Sequence, residues 1–159
     1  KALKNTSEFN MYNFSTERSK YLNDLGIPLN TDSTLKGQTV FLAERCAELM
    51  NNNIITDRTV IDVMAFTLNA KSIGHQDKDI FENYAKEFIR EYDYIFYISP
   101  YGIPIENNGV RETDEHYRDI IDFTITTLIK RYSHMANRIE KISGSTEERI
   151  EQILKFTNL

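Results

Sequence analysis

Asn53-Ile54-Ile55-Thr56-Asp57-Arg58-Thr59-Val60-Ile61-Asp62 is the stretch on which the reading of this chain turns. It reads as a short buried strand, 53–58, that ends in Asp57-Arg58 and passes at once into a helix. Ile61, Met64, Ala65 and Leu68 recur at helical spacing and predict that helix over about 60–70. Two opposite charges at the end of an apolar strand are costly inside a core. They are at home at the carboxyl edge of a parallel sheet, where open α/β folds bind ligands. An acid there can hold Mg²⁺ or take a proton, and an arginine can hold phosphate bidentately. The competing reading is an ion pair that merely caps the helix.

Working outward, the preceding segment predicts a helix over about 34–50, with Val40, Ala43, Ala47 and Met50 as its apolar stripe, Cys46 and Leu49 beside it, and Gln38 near its start. Before it, Gly26, Pro28 and the polar run 30–33 mark 19–33 as a loop. Residues 10–14 read as a second strand, followed by Ser15-Thr16-Glu17-Arg18. A second acid–arginine pair after a strand favours one shared site over two separate surface pairs, against the alternative of a solvated first helical turn. Lys1-Ala2-Leu3-Lys4 resembles the last turn of a helix without an N-cap.

On the other side, 74–77 is a turn. A helix follows over 78–91, with Ile80, Phe81, Tyr84, Phe88 and Ile89 facing inward. Residues 94–98 are the most strand-like run of the chain. Residues 99–111, rich in Gly, Pro and Asn, form a long loop of the kind that serves as a lid, with the lid region taken as 100–118. A helix over about 114–133 carries Tyr117, Ile121, Leu128 and Tyr132 on one face, and Arg111 and Arg118 lie at its entry. Positive charge at a helix N-terminus opposes the macrodipole, a cost that an anionic partner relieves; two solvated arginines are the plainer reading. Residues 138–142 form a last strand. Ser143-Gly144-Ser145 turns into a helix over 146–156, with Ser145-Thr146-Glu147-Glu148 as its start signal. Alternating strands and helices of this kind predict a single α/β domain built on a parallel sheet.

Composition sets outer bounds. The chain has 159 residues, 40% of them hydrophobic, a net charge of −5 and a pI near 5.3. It is long enough for one sizeable core. The acidic balance argues against a general nucleic-acid binder. No apolar run approaches the length of a membrane span, and no signal peptide is evident. Cys46, the single cysteine, reads as a small buried hydrophobe. It excludes an internal disulfide and a zinc cluster, which suits a reducing cytoplasm. His75, His116 and His134 show no metal-ligand spacing.

The ordered set of motifs resembles the P-loop nucleoside and nucleotide kinases. More narrowly, it resembles the kinase module of NadR-type proteins and thymidylate-kinase-like AAA ATPase domains. The matching text is Phe14-Ser15-Thr16-Glu17-Arg18, then Ile54-Ile55-Thr56-Asp57-Arg58, then Asn108-Gly109-Val110-Arg111-Glu112-Thr113-Asp114 through Tyr117-Arg118, and finally residues 142–150. The resemblance implies a three-layer P-loop NTPase fold and ATP-dependent transfer to a nucleoside or nucleoside monophosphate, with Mg²⁺. Nicotinamide riboside is the alternative acceptor, and a non-catalytic ATP-binding regulatory or scaffold module is the alternative class.

Under the resemblance Glu17 orients or deprotonates the acceptor, and Arg18 holds its oxygens. Asp57 acts through the metal or its water, Arg58 holds phosphate, and Gln38 reads the base. Arg111 and Arg118 close on the transferring phosphoryl, and Ser143, Gly144, Ser145 and Thr146 approach adenine. The family's phosphate loop, G-x-x-x-x-G-K-[ST], is not in these residues. The expectation is that the sequence starts just past that loop and its central strand, and that the stretch as written neither binds ATP well nor transfers phosphate. Tyr92 and Tyr101 are the aromatics expected at an interface if the protein is a homodimer.

Overall fold

The computed structural model describes residues 2–16, 19–101 and 114–159. Two 3₁₀ turns, Ala2–Asn5 and Ser7–Phe9, precede β1 (Asn13–Ser15) and α1 (Ser19–Asp24). A 3₁₀ turn at Asn30–Asp32 leads into α2 (Leu35–Leu49), β2 (Ile54–Thr56) and α3 (Val60–Asn69). Then come α4 (His75–Ala85), a 3₁₀ segment Lys86–Glu91 and β3 (Ile95–Ile98). The last elements are α5 (Glu115–Tyr132), a 3₁₀ turn Ser133–Met135, β4 (Ile139–Ile142) and α6 (Thr146–Thr157).

The strands pair in parallel, β1 with β2 and β3 with β4, as separate two-stranded sheets. The expectation of one continuous parallel sheet therefore takes a different form in the described residues. Each pair is parallel, but side chains rather than ladder hydrogen bonds join the two. Phe14 and Ile55 from one pair, and Phe96 and Ile142 from the other, meet in one cluster with Phe9 and Ile153. The opposite face of β3–β4, through Ile95 and Ile139, joins the main core. That core is built on α3, whose Val60, Ile61, Met64 and Ala65 are almost wholly buried against α2, α4 and α5. The β3–β4 pair thus lies between two helix-lined cores, which follows from the period-2 alternation of its side chains.

Local chemistry explains the ends of the elements. Thr59 and Asp62 form a reciprocal capping box at the start of α3, and Ser145 and Glu148 form another at the start of α6. Thr34 caps α2 by accepting from Gly37 N, and Asp114 caps α5 by accepting from His116 N.

Several expectations need correction. The buried face of α2 carries Gln38, Leu42 and Arg45, with Phe41, Cys46 and Leu49 packed partly against the core. Ala43, Ala47 and Met50 of the expected stripe are exposed. A buried arginine and glutamine shifted the face away from the small apolar residues. The 78–91 helix begins earlier, at His75, and gives way to 3₁₀ geometry after Ala85. Phe81, Ala85 and Ile89 are its buried line, while Ile80 and Tyr84 face solvent. The loop expected over 19–33 contains α1, which buries Leu22. The strand expected at 10–14 is displaced toward Ser15, and the opening helix turn is 3₁₀. Tyr92 is buried rather than free for an interface, and its hydroxyl accepts a hydrogen bond from Val60 N at 3.2 Å. Tyr101 is exposed.

Candidate functional site at the strand ends

The β1–β2 register pairs Ser15 with Thr56, so β1 and β2 end level with each other at one edge of a small sheet. The ladder continues one step further, with Asp57 N donating to Ser15 O at 3.0 Å. Asp57 is exposed. Arg58 follows in the left-handed region at φ 79°, where a non-glycine residue is strained. The turn is held by side chains. Arg45 Nη1 donates to the Asp57 carbonyl at 2.9 Å, and Thr56 Oγ1 donates to the Arg58 carbonyl at 2.9 Å. Arg45 is 4% exposed and its Nη2 pairs with Glu48 Oε1 at 2.8 Å. The same Glu48 oxygen accepts a short hydrogen bond from Ser15 Oγ. A buried ion pair on α2 therefore grips the carboxyl ends of β1 and β2 together.

The Arg58 guanidinium lies over the Phe66 ring of α3, 5.2 Å from its centroid. Phe66 in turn meets Tyr117 of α5 at 6.5 Å. Next to Tyr117, Arg118 stacks over Tyr101, just past β3, at 5.7 Å, and approaches Asp119 at 3.3 Å. This series of aromatic contacts brings three segments distant in sequence to one region: the end of β2, the end of β3 and the first turn of α5. A guanidinium presented on a ring face, as Arg58 is on Phe66, has planar donors suited to an oxyanion. Below it Tyr97 Oη donates to buried Asp122 at 2.7 Å. Burial, followed by the Asp122 hydrogen bond, pushes the Tyr97 hydroxyl up to about 12. Tyr97 therefore stays a proton donor to that carboxylate across the neutral range.

Gln38 is buried on α2 rather than exposed on a helix surface. Asp57 and Arg58 lie directly past β2, and Arg118 lies in the first turn of α5. Glu17, Arg18 and Arg111 lie outside the described residues. Ser143 to Thr146 form the turn before α6, beside a shallow depression of about 400 Å³ lined by Ser143, Gly144, Glu148, Glu151, Gln152 and Lys155. The backbone groups that the resemblance offers to adenine are already engaged. Ser143 N donates to Gln152 Oε1, Gln152 Nε2 donates to Ser143 O at 2.7 Å, and Ser145 N donates to Glu148. Adenine can read that edge only by displacing the Gln152 carboxamide.

Arg45, Glu48, Phe66, Tyr97 and Asp122 are absent from the sequence-derived set, and Tyr101 enters it only as an interface aromatic. Arg45 and Glu48 carry a usable signal, the i,i+3 opposite-charge spacing on a helix. Phe66 is the lone aromatic of α3. No sequence signal pairs Tyr97 with Asp122.

Among the described residues, no group of three or more His, Cys, Asp or Glu is placed to hold a metal ion, and no helix is long and apolar enough to cross a membrane. A Mg²⁺ held by one carboxylate plus substrate phosphates needs no such group, and the exposed Asp57 fits that arrangement. No family model, curated protein or solved structure matches this chain.

Proposed function

We propose that this chain belongs to a P-loop-type kinase domain that transfers a phosphoryl group from ATP to a nucleoside or nucleoside monophosphate in the cytoplasm. The observation that carries the reading is the placement of Asp57 and Arg58 directly past β2, with Arg58 over Phe66 and Phe66 against Tyr117 at the start of α5. Parallel pairing of β1 with β2, each followed by an acid–arginine sequence, supports it further. The reading rests otherwise on the motif resemblance.

Phosphoryl transfer is mainly positioning and charge neutralisation. In this reading Glu17 orients the acceptor hydroxyl and takes its proton as that oxygen bonds to the γ-phosphorus. Arg18 and Arg58 hold acceptor and phosphate oxygens. Arg111 and Arg118 neutralise charge on the transferring group, and ADP leaves with the electrons of the broken P–O bond. Asp57 would hold Mg²⁺ directly or through water, and the metal would neutralise phosphate charge. Gln38 reads the base through its paired donor and acceptor, and the 143–146 turn receives adenine.

The test is acceptor-dependent ADP release by the full natural chain. It uses Mg-ATP with a panel of nucleosides, nucleoside monophosphates and nicotinamide riboside. Stimulation by a nucleoside or its monophosphate, lost in Arg118→Ala, supports the proposal. Stimulation by nicotinamide riboside alone transfers it to that acceptor. Tight ATP binding without stimulation by any acceptor replaces it with a regulatory or scaffold module.

A further inference from the structure

We propose that the buried Arg45–Glu48 pair is the positioning device of the strand-end site. By gripping Ser15 and the Asp57 carbonyl, it presets the left-handed Arg58 turn before any ligand arrives. The inference deepens the phosphotransfer reading and rests on it for its kinetic consequence only.

A strand that ends in a left-handed arginine does not hold that shape by itself. The αL region is disfavoured for every residue with a Cβ, and an exposed turn relaxes out of it. Strained backbone persists at a site where surrounding structure over-determines it. Here the constraint is visible on both carbonyls of the turn. Arg45 Nη1 fixes the Asp57 carbonyl, and with it the plane of the peptide that reverses direction into Arg58. Thr56 Oγ1 fixes the next carbonyl, and the Thr59–Asp62 box then starts α3.

Arg45 is in turn fixed. Its second nitrogen pairs with Glu48 one turn further along the same helix, and Glu48 is anchored to β1 by the Ser15 hydroxyl. A buried guanidinium with this geometry has few alternative positions, because leaving Glu48 would strand both charges. The Asp57 amide closes the circuit on the Ser15 carbonyl. The ends of β1 and β2 thus share one clamp, and a shift at Ser15 is felt at Asp57. Arg45 and Glu48 touch no reacting atom in this scheme. They act through Asp57 and Arg58, and so are positioning residues.

The experiment compares wild type with Glu48→Gln, Ser15→Ala and Glu82→Gln in the full natural chain. The last variant weakens a partly exposed pair between α4 and α5, where Glu82 accepts from Arg131 and Tyr132. The first readout is the ¹H–¹⁵N spectrum: the backbone amides of Asp57 and Arg58 and the Arg58 Nε–H. Glu48→Gln is expected to shift or broaden these signals, Ser15→Ala to do so to a smaller degree, and Glu82→Gln to leave them in place. The second readout is turnover. A misplacement near 1 Å is expected to lower kcat roughly 100-fold in Glu48→Gln with the KM for ATP little changed, while Glu82→Gln turns over normally. Unmoved Asp57 and Arg58 signals in both Glu48→Gln and Ser15→Ala overturn the proposal. Signals displaced equally by Glu82→Gln overturn it as well, since the effect is then global. Absence of turnover in wild type sinks the phosphotransfer reading instead, and the spectra still decide the positioning role.

Discussion

Replacing Arg58 by glycine and by alanine separates its backbone strain from its side chain. Both substitutions remove the guanidinium from Phe66, a cation–π contact at a half-buried site. Only alanine keeps a Cβ at φ 79°. The left-handed conformation costs a non-glycine residue roughly 1–2 kcal/mol. Glycine gives back roughly 0.5–1 kcal/mol through the greater freedom of its unfolded chain. At the midpoints of these ranges the difference leaves Arg58→Gly more stable than Arg58→Ala by about 0.75 kcal/mol. For a chain of this size that is a rise in Tm of about 1–4 °C. Urea unfolding followed by circular dichroism measures it, as a higher midpoint at an unchanged slope. Equal midpoints, or a more stable alanine variant, would refute the claim that the turn is held left-handed. The clamp argument would fall with it.

Other consequences follow from single residues. Gly144 sits at φ 97°, and a Cβ there would overlap the Glu148 carboxylate, so Gly144→Ala should destabilise by about 1–3 kcal/mol and weaken the N-terminal cap of α6; urea midpoints and amide exchange at Glu148 check this. The folded-state value of Tyr97, about 12, lies above the ordinary tyrosine value near 10. Folding then favours the protonated hydroxyl, so its contribution is complete below about pH 10 and is lost as pH rises toward 12. Tyr97→Phe should therefore flatten the fall of stability in that window, as read from thermal midpoints at stepped pH. Met64 is fully buried at the centre of α3, and Met64→Ala should cost about 2–5 kcal/mol by urea denaturation.

Much of this architecture is legible in the sequence, because the elements that matter most are apolar on one face. The inward positions of α3 and α5 follow from their spacing: Ile61, Met64 and Ala65, and Tyr117, Ile121, Leu128 and Tyr132, are all buried. The start of α6 is legible because its capping box is written in consecutive side chains. The face of α2 is not, because its inward positions include a glutamine and an ion-paired arginine. A reading that counts apolar residues assigns those outward. The same blindness hides the clamp, since Arg45 becomes a core residue only through partners at Glu48, Ser15 and Asp57. Ile80 and Tyr84 read as inward yet face solvent, because the buried line runs through Phe81, Ala85 and Ile89 and its middle place is taken by a small alanine that an aromatic and aliphatic count passes over. At the candidate site, Asp57 and Arg58 stand out in the sequence as charges at a strand end, and they lie directly past β2. The aromatic contacts through Phe66, Tyr117 and Tyr101 were not, because nothing local links residues that far apart in sequence.

The central claim is phosphoryl transfer at the ends of β1 and β2, and label transfer from [γ-³²P]ATP tests it most directly. The full natural chain is incubated with Mg²⁺ and a nucleoside or nucleoside monophosphate, alongside its Asp57→Asn and Arg58→Ala variants. The account predicts label on the acceptor in wild type, abolished by chelating the metal and strongly reduced in both variants. Label found only in inorganic phosphate, or acceptor labelling undiminished in Asp57→Asn and Arg58→Ala, would contradict it.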